Sequence, residues 1–185
     1  MSGVDVPVRD IANRAGVGIA TLYRHFPTRD DLVDAVLEDA FDEYVALAEN
    51  ALSAPDGWTG FTRFVEQVLT LHARNRGLKD VVETRARGRE RAAAMRRRIA
   101  PLVVRVVARA QAEGTLRADF MPQDVALVFW GTDRVIELAR DVAPEIWRRH
   151  LAFVFDGLRK KGLRIVDIPT LFKAKPGPPD RDLRR

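Results

Sequence analysis

Three features of the sequence predict an all-α chain. Apolar residues recur at helical spacing over most of the length, alternation with period two is nearly missing, and the helical stretches end at Gly or Pro. Composition agrees: of 185 residues 46% are hydrophobic and 31% charged, which supplies a buried core and excludes a wholly disordered chain. Cysteine is absent, which removes disulfides, thiolate metal sites and cysteine nucleophiles from the possible functions. No run approaches the roughly 20 apolar residues that span a bilayer. No basic region followed by an apolar stretch opens the chain. A cytoplasmic protein with no membrane partner is expected.

The elements follow in order. Val8, Ile11, Ala12 and Ala15 form one apolar face of a two-turn helix, which Gly16-Val17-Gly18 breaks. A second short helix runs from Ile19 to His25, with Leu22 and Phe26 on its inner face. Thr28 caps a third, Arg29 to Leu52, whose first turn carries Asp30 and Asp31 where acids suit the helix dipole. Leu32, Val36, Ala40, Val45 and Leu47 are its expected apolar positions. Ser53-Ala54-Pro55-Asp56-Gly57 stops it, and Trp58–Asn75 follows with Phe61, Phe64, Val65, Val68, Leu69 and Leu71 as a broad buried stripe.

A short helix over Leu78–Arg85 and a long one over Arg89–Glu113 come next; Pro101 is expected to kink or divide the latter, and Gly114 to end it. Pro122 and Pro144 start two strongly apolar helices, and Gly162 ends the second. Leu163–Ile168 could be a short extended piece. Pro176-Gly177-Pro178-Pro179 marks the 163–185 tail as charged and disordered.

The formal net charge is +5 and the pI about 10.1, yet a basic balance names no partner until it is located. Residues 7–29 carry +3, residues 85–98 carry +6 and the tail 173–185 carries +3, so the rest of the chain is acidic. Arg85, Arg87, Arg89, Arg91, Arg96, Arg97 and Arg98 read as a solvated helix face rather than as a second nucleic-acid site.

Two short helices around a glycine turn outline a helix-turn-helix. The residues from Val8 to Leu32 go further: Ile11-Ala12, Ala15-Gly16-Val17, Thr21-Leu22-Tyr23-Arg24-His25-Phe26 and Arg29-Asp30-Asp31-Leu32 resemble the DNA-binding signature of the TetR (tetracycline-repressor-like) family. The physics is consistent, since a recognition helix hides one face and presents small and polar groups to the major groove. Leu22 and Phe26 anchor the helix, leaving Ile19, Ala20, Thr21, Arg24 and His25 outward. Arg24 suits bidentate contact with guanine, and Ala20 or Thr21 a thymine methyl. The resemblance adds Gly18 to the DNA-facing set, places Tyr23 and His25 on the phosphate backbone, and gives Arg29 a phosphate. It also implies a further helix before the signature. Only Met1–Pro7 precede Val8, so the true start is expected upstream of Met1; the alternative is a shortened effector-binding, dimerising protein with impaired DNA binding.

Ala108–Phe120, with its Ala110-Gln111, Gly114, Leu116-Arg117 and Asp119, resembles a stretch of the family's SbtR-like C-terminal domains. The implied division is a DNA-binding domain over 1–45, a ligand-binding and dimerisation domain over 46–162, and the tail. The resemblance implies a homodimer through the last two long helices, about Gln123–Ala139 and Glu145–Lys161. Trp130, Trp147, Phe153 and Phe155 are candidate anchors there, about half of which would serve the monomer core instead. A cavity among the helices starting at Trp58, Leu78, Arg89 and Pro122 would be lined by Trp58, Phe61, Phe64, His72, Met95, Phe129 and Trp130. His72 or Arg134 would supply its polar handle.

The expectation is therefore a sequence-specific regulator, a repressor in the family's commonest mode, released from a double-stranded DNA operator by a small-molecule effector. A small helical enzyme is the other class. His25, His72 and His150 show no metal spacing, and no phosphate-binding Gly loop or nucleophile motif is present. No cofactor is expected.

Overall fold

The computed structural model describes residues 6–74 and 86–160. The expected helix at Leu78–Arg85, the extended piece at Leu163–Ile168, the stop at Gly162 and the 163–185 tail lie outside the described residues. Seven helices follow one another within them: α1 (Val8–Ala15), α2 (Ile19–His25), α3 (Arg29–Leu52), α4 (Gly57–Arg74), α5 (Ala86–Ala112), α6 (Asp124–Ala139) and α7 (Ile146–Leu158). No helix among the described residues is long and apolar enough to cross a membrane.

The local signals act where the sequence places them. Asp10 in the first turn and Arg14 in the last suit the dipole of α1, and Gly16 closes it at φ 70°. Thr28 and Asp31 form a reciprocal capping box: the Asp31 amide donates to Thr28 Oγ1 at 3.1 Å and the Thr28 amide to Asp31 Oδ2 at 2.9 Å. Asp56 starts α4 by accepting from the Thr59 amide and hydroxyl, both at 2.8 Å. Those bonds hold its carboxyl below the usual carboxylate value.

The main core lies where α3, α4 and α5 pack on one another, with α6 and α7 added on the far side of α4. Phe61, Phe64, Val65, Val68 and Leu69 of α4 are buried as their spacing predicts. Full burial of each such side chain contributes about 1.5–3 kcal/mol, so this stripe outweighs any single cap at about 1 kcal/mol. Gly60 lets α4 close on α3, because a Cβ there would run into the Ala51 carbonyl oxygen. Gly57 does the same for α5, with the backbone of Ala110 2.7 Å from where its Cβ would stand.

The buried face of α3 is not the expected one. Leu37, Ala40, Phe41, Tyr44, Ala48 and Ala51 are buried in the core; of the predicted set Ala40 is among them and Leu47 packs against it, whereas Val36 is 55% exposed. Apolar residues at 32, 33, 36 and 37 allow more than one helical register, and packing against α4 and α5 selects one. Pro101 does not divide the helix it was expected to kink or divide: α5 continues through it.

The Ala110–Phe120 stretch is a structural clamp. Gly114 turns the chain at φ +68°, and the Gln111 amide donates to the carbonyls of Arg117 (3.0 Å), Ala118 (3.3 Å) and Phe120 (2.7 Å). Arg117 pairs with Asp119 through Nε (2.6 Å) and Nη2 (2.9 Å), and its Nη1 donates to the Gly157 carbonyl on α7. One loop thus fixes its own backbone and ties α5 to the last helix.

Candidate nucleic-acid interface and effector core

The N-terminal helix pair is packed around its own small centre. Ala12 and Leu22 are its buried residues, and neither belongs to the main cluster, which begins at Leu37. Phe26 ends α2, half-buried, its amide donating to the Leu22 carbonyl at 2.8 Å. At about 100° per residue, Arg24 lies opposite the Leu22–Phe26 edge, with Ala20 and Thr21 beside it. Ile19, Ala20, Thr21, Tyr23, Arg24 and His25 are all exposed, as is Gly18, the cap of α2. Arg29, half-buried, is the first residue of α3. The structure therefore brings the eight predicted DNA-facing residues to one end, on α2 and the start of α3.

The predicted cavity residues divide. Phe61 and Phe64 are buried in the core, Met95 packs against it, and Trp58 sits at its edge beside Phe61 and Phe155, with the Arg159 guanidinium 4.6 Å over its ring. Phe129 meets Phe64 and His72 at ring-centroid distances of 6.2 and 5.7 Å. Trp130 and Arg134 are not brought to this set. They lie on the outward face of α6, where Arg134 pairs with Glu137 at 2.7 Å.

His72, one of the two predicted polar handles, has two partners that sequence reasoning missed. His72 Nδ1 stands 2.7 Å from Asp133 Oδ1, and the Tyr44 ring meets the imidazole edge-on at 5.8 Å. Burial first, then the charges of Asp133 and Glu43, push the Tyr44 phenol well above its ordinary value, so it stays protonated. Helices α3, α4 and α6 each contribute one member. No local signal announces the group, because 61 positions separate His72 from Asp133.

The outward faces of α6 and α7 carry exposed large apolar residues. Leu127, Trp130 and Leu138 share one side of α6, and Ile146 and Phe153 one side of α7; Trp130 and Phe153 are both 62% exposed. Nothing lies within 4 Å of a Cβ placed at Gly131 or Gly157. Trp147 and Phe155 belong to the monomer instead: Trp147 is 1% exposed, and Phe155 packs on Trp58 and Phe61. Among the described residues no group of three or more His, Asp or Glu could hold a metal ion.

A helix-turn-helix presenting its second helix, joined by α3 to a helical domain with an aromatic core, defines a DNA-binding transcriptional regulator with an effector domain. Comparison gives the family. A model described as bacterial regulatory proteins, tetR family, matches residues 3–36, and one described as the transcriptional regulator SbtR-like C-terminal domain matches residues 56–160, more than half of the chain. The chain belongs to the TetR family of transcriptional regulators, which bind DNA operators and small-molecule effectors and typically dimerise.

Solved structures agree. A TetR transcription regulatory protein from Mycobacterium vanbaalenii is 28% identical over 84% of each chain, with a TM-score of 0.64. The TetR transcriptional regulator SCO0520 from Streptomyces coelicolor is 24% identical over 87% of this chain and 91% of that one, with a TM-score of 0.63. The regulator MbdR from Azoarcus sp. CIB is 21% identical over 89% and 92%, with a TM-score of 0.64. The latter two share the fold. No curated protein matches the chain.

Proposed function

We propose that this regulator is a repressor that binds a palindromic operator as a homodimer and leaves it when a small-molecule effector enters its core. The observation that carries the reading is the outward edge of α2, where Arg24 stands opposite the buried Leu22 among small exposed neighbours. Arg24 reads a guanine edge, and Ala20 or Thr21 contacts a thymine methyl. Gly18 and Ile19 let the start of α2 approach the groove closely, while Tyr23, His25 and Arg29 hold phosphates. Residues 1–45 form the DNA-binding domain, residues 46–162 the effector and dimerisation domain, and 163–185 a charged tail.

Two protomers join through the outward stripes of α6 and α7. Exposed aromatic residues supply the apolar area of that seam, and Gly131 and Gly157 leave room for a close backbone approach. The effector is a mainly apolar molecule with one polar group. It inserts among Phe64, Phe129, Trp58 and Met95 and takes its hydrogen bond from the His72–Asp133 pair, so a shift of α4 or α6 reaches Tyr44 on α3 and through it the reading head. The protein works in the cytoplasm, without catalysis or a cofactor.

Two variants test the reading head. Arg24→Ala costs about 1–3 kcal/mol at one base pair and relaxes preference there, whereas Arg29→Ala weakens all sequences alike and lowers the salt slope by about one. An Arg24→Ala protein with an unchanged binding preference would overturn the assignment.

A further inference from the structure

A cleft of about 160 Å³ opens away from the aromatic core, between the ends of α4 and α6 and the start of α7. Its polar lining is Thr70, Arg74, Arg140, Glu145, Trp147 and Arg148. Three guanidiniums therefore converge on it, and they are not equivalent. Arg148 is committed: Nη1 meets Glu66, Nε meets Glu145 at 2.7 Å, and its guanidinium carbon lies 4.4 Å from the Trp147 ring centre. Arg74 and Arg140 are exposed and have no carboxylate partner among the described residues. Trp147 forms the buried floor of the cleft, 1% exposed, with its indole Nε1 sealed from solvent. Two guanidiniums at one cleft, without a carboxylate partner among the described residues, make an anion the complement of this lining.

We propose that the cleft binds a small oxyanion of the phosphate class, held between Arg74 and Arg140. Guanidiniums bind oxyanions through paired, charge-assisted N–H···O bonds, and the volume holds several waters, enough for a tetrahedral anion. The Thr70 hydroxyl already donates to the Glu66 carbonyl at 2.9 Å, so the cationic side chains are the donors left. The site is distinct from the seam between protomers: Ile136 and Trp147 in its lining are buried, whereas Trp130 and Phe153 are exposed. Arg74 is two residues beyond His72, and Arg140 seven beyond Asp133. An anion bridging the two arginines joins the end of α4 to the end of α6.

Titration of the full chain with orthophosphate, against chloride at equal ionic strength, tests the site. The Trp147 indole N–H, assigned with Trp147→Phe, is expected to shift, and the melting temperature to rise. Arg140→Gln weakens phosphate binding about tenfold, Arg74→Gln with Arg140→Gln removes it, and Arg105→Gln, an exposed change on α5 outside the lining, leaves it intact. Glycerol phosphate is run beside orthophosphate; competition between them identifies the phosphoryl group as the shared ligand, and binding of orthophosphate alone identifies the free ion. A response matched by chloride, a Trp147 signal that stays still, or binding that survives the double substitution overturns the proposal.

Discussion

His72 on α4 and Asp133 on α6 are hydrogen-bonded at 2.7 Å between Nδ1 and Oδ1. Both side chains are largely shielded, at 26% and 19% exposure, so the pair is worth more than a surface bridge. A double-mutant cycle with His72→Gln and Asp133→Asn, read by chemical denaturation, is expected to give a coupling of about 1–2 kcal/mol. Strict additivity would show that the two groups do not cooperate.

Gly60 sets propensity against packing. Helix propensity alone predicts that Gly60→Ala stabilises α4 by up to about 1 kcal/mol. The Ala51 carbonyl occupies the space the new methyl needs, and overpacking of that kind costs about 1–3 kcal/mol. A net loss of stability is expected. A gain would mean that α3 and α4 separate at no cost.

Asp56 makes the start of α4 sensitive to acid. The Thr59 amide and hydroxyl hold its carboxyl below the usual carboxylate value. A carboxyl lowered in the folded state contributes stability that is present above the unfolded value and lost as pH falls through the folded one. Denaturation followed from pH 7 to pH 2 is therefore expected to steepen below about pH 4. Asp56→Asn keeps an acceptor for the Thr59 amide but removes the titrating charge, so it flattens that slope; an unchanged slope rules out this role.

Trp130 is the test residue for the seam between protomers. Light scattering of the parent chain is expected to show twice the 20.8 kDa chain mass. Trp130→Glu puts a charge in the stripe and should leave a folded monomer, because the side chain is 62% exposed and adds little to the protomer's own core. Equal masses for the two proteins would move the interface elsewhere.

What was legible in the sequence was local. The breaks at Gly16 and Gly57, the Thr28 cap with acids in the first turn of α3 and the signature from Val8 to Leu32 each lie within a few residues of chain, and their geometry follows from those residues alone. The buried face of α3 was not legible, because apolar residues surround its first turns and only contact with α4 and α5 chooses Leu37 and Phe41 over Leu32 and Val36. Aromatic residues in α6 and α7 look alike in sequence, yet Trp147 and Phe155 turn inward while Trp130 and Phe153 turn outward. The partners of His72 come from two other helices, and pairing across such separations is a property of the assembled fold.

Sequence-specific DNA binding is the central claim, and selection from a random double-stranded pool tests it most directly. The full chain is expected to enrich an inverted repeat whose half-sites are about one helical turn apart, with two protomers on each site. Uniform, salt-sensitive retention of all sequences, with no motif enriched, would contradict it.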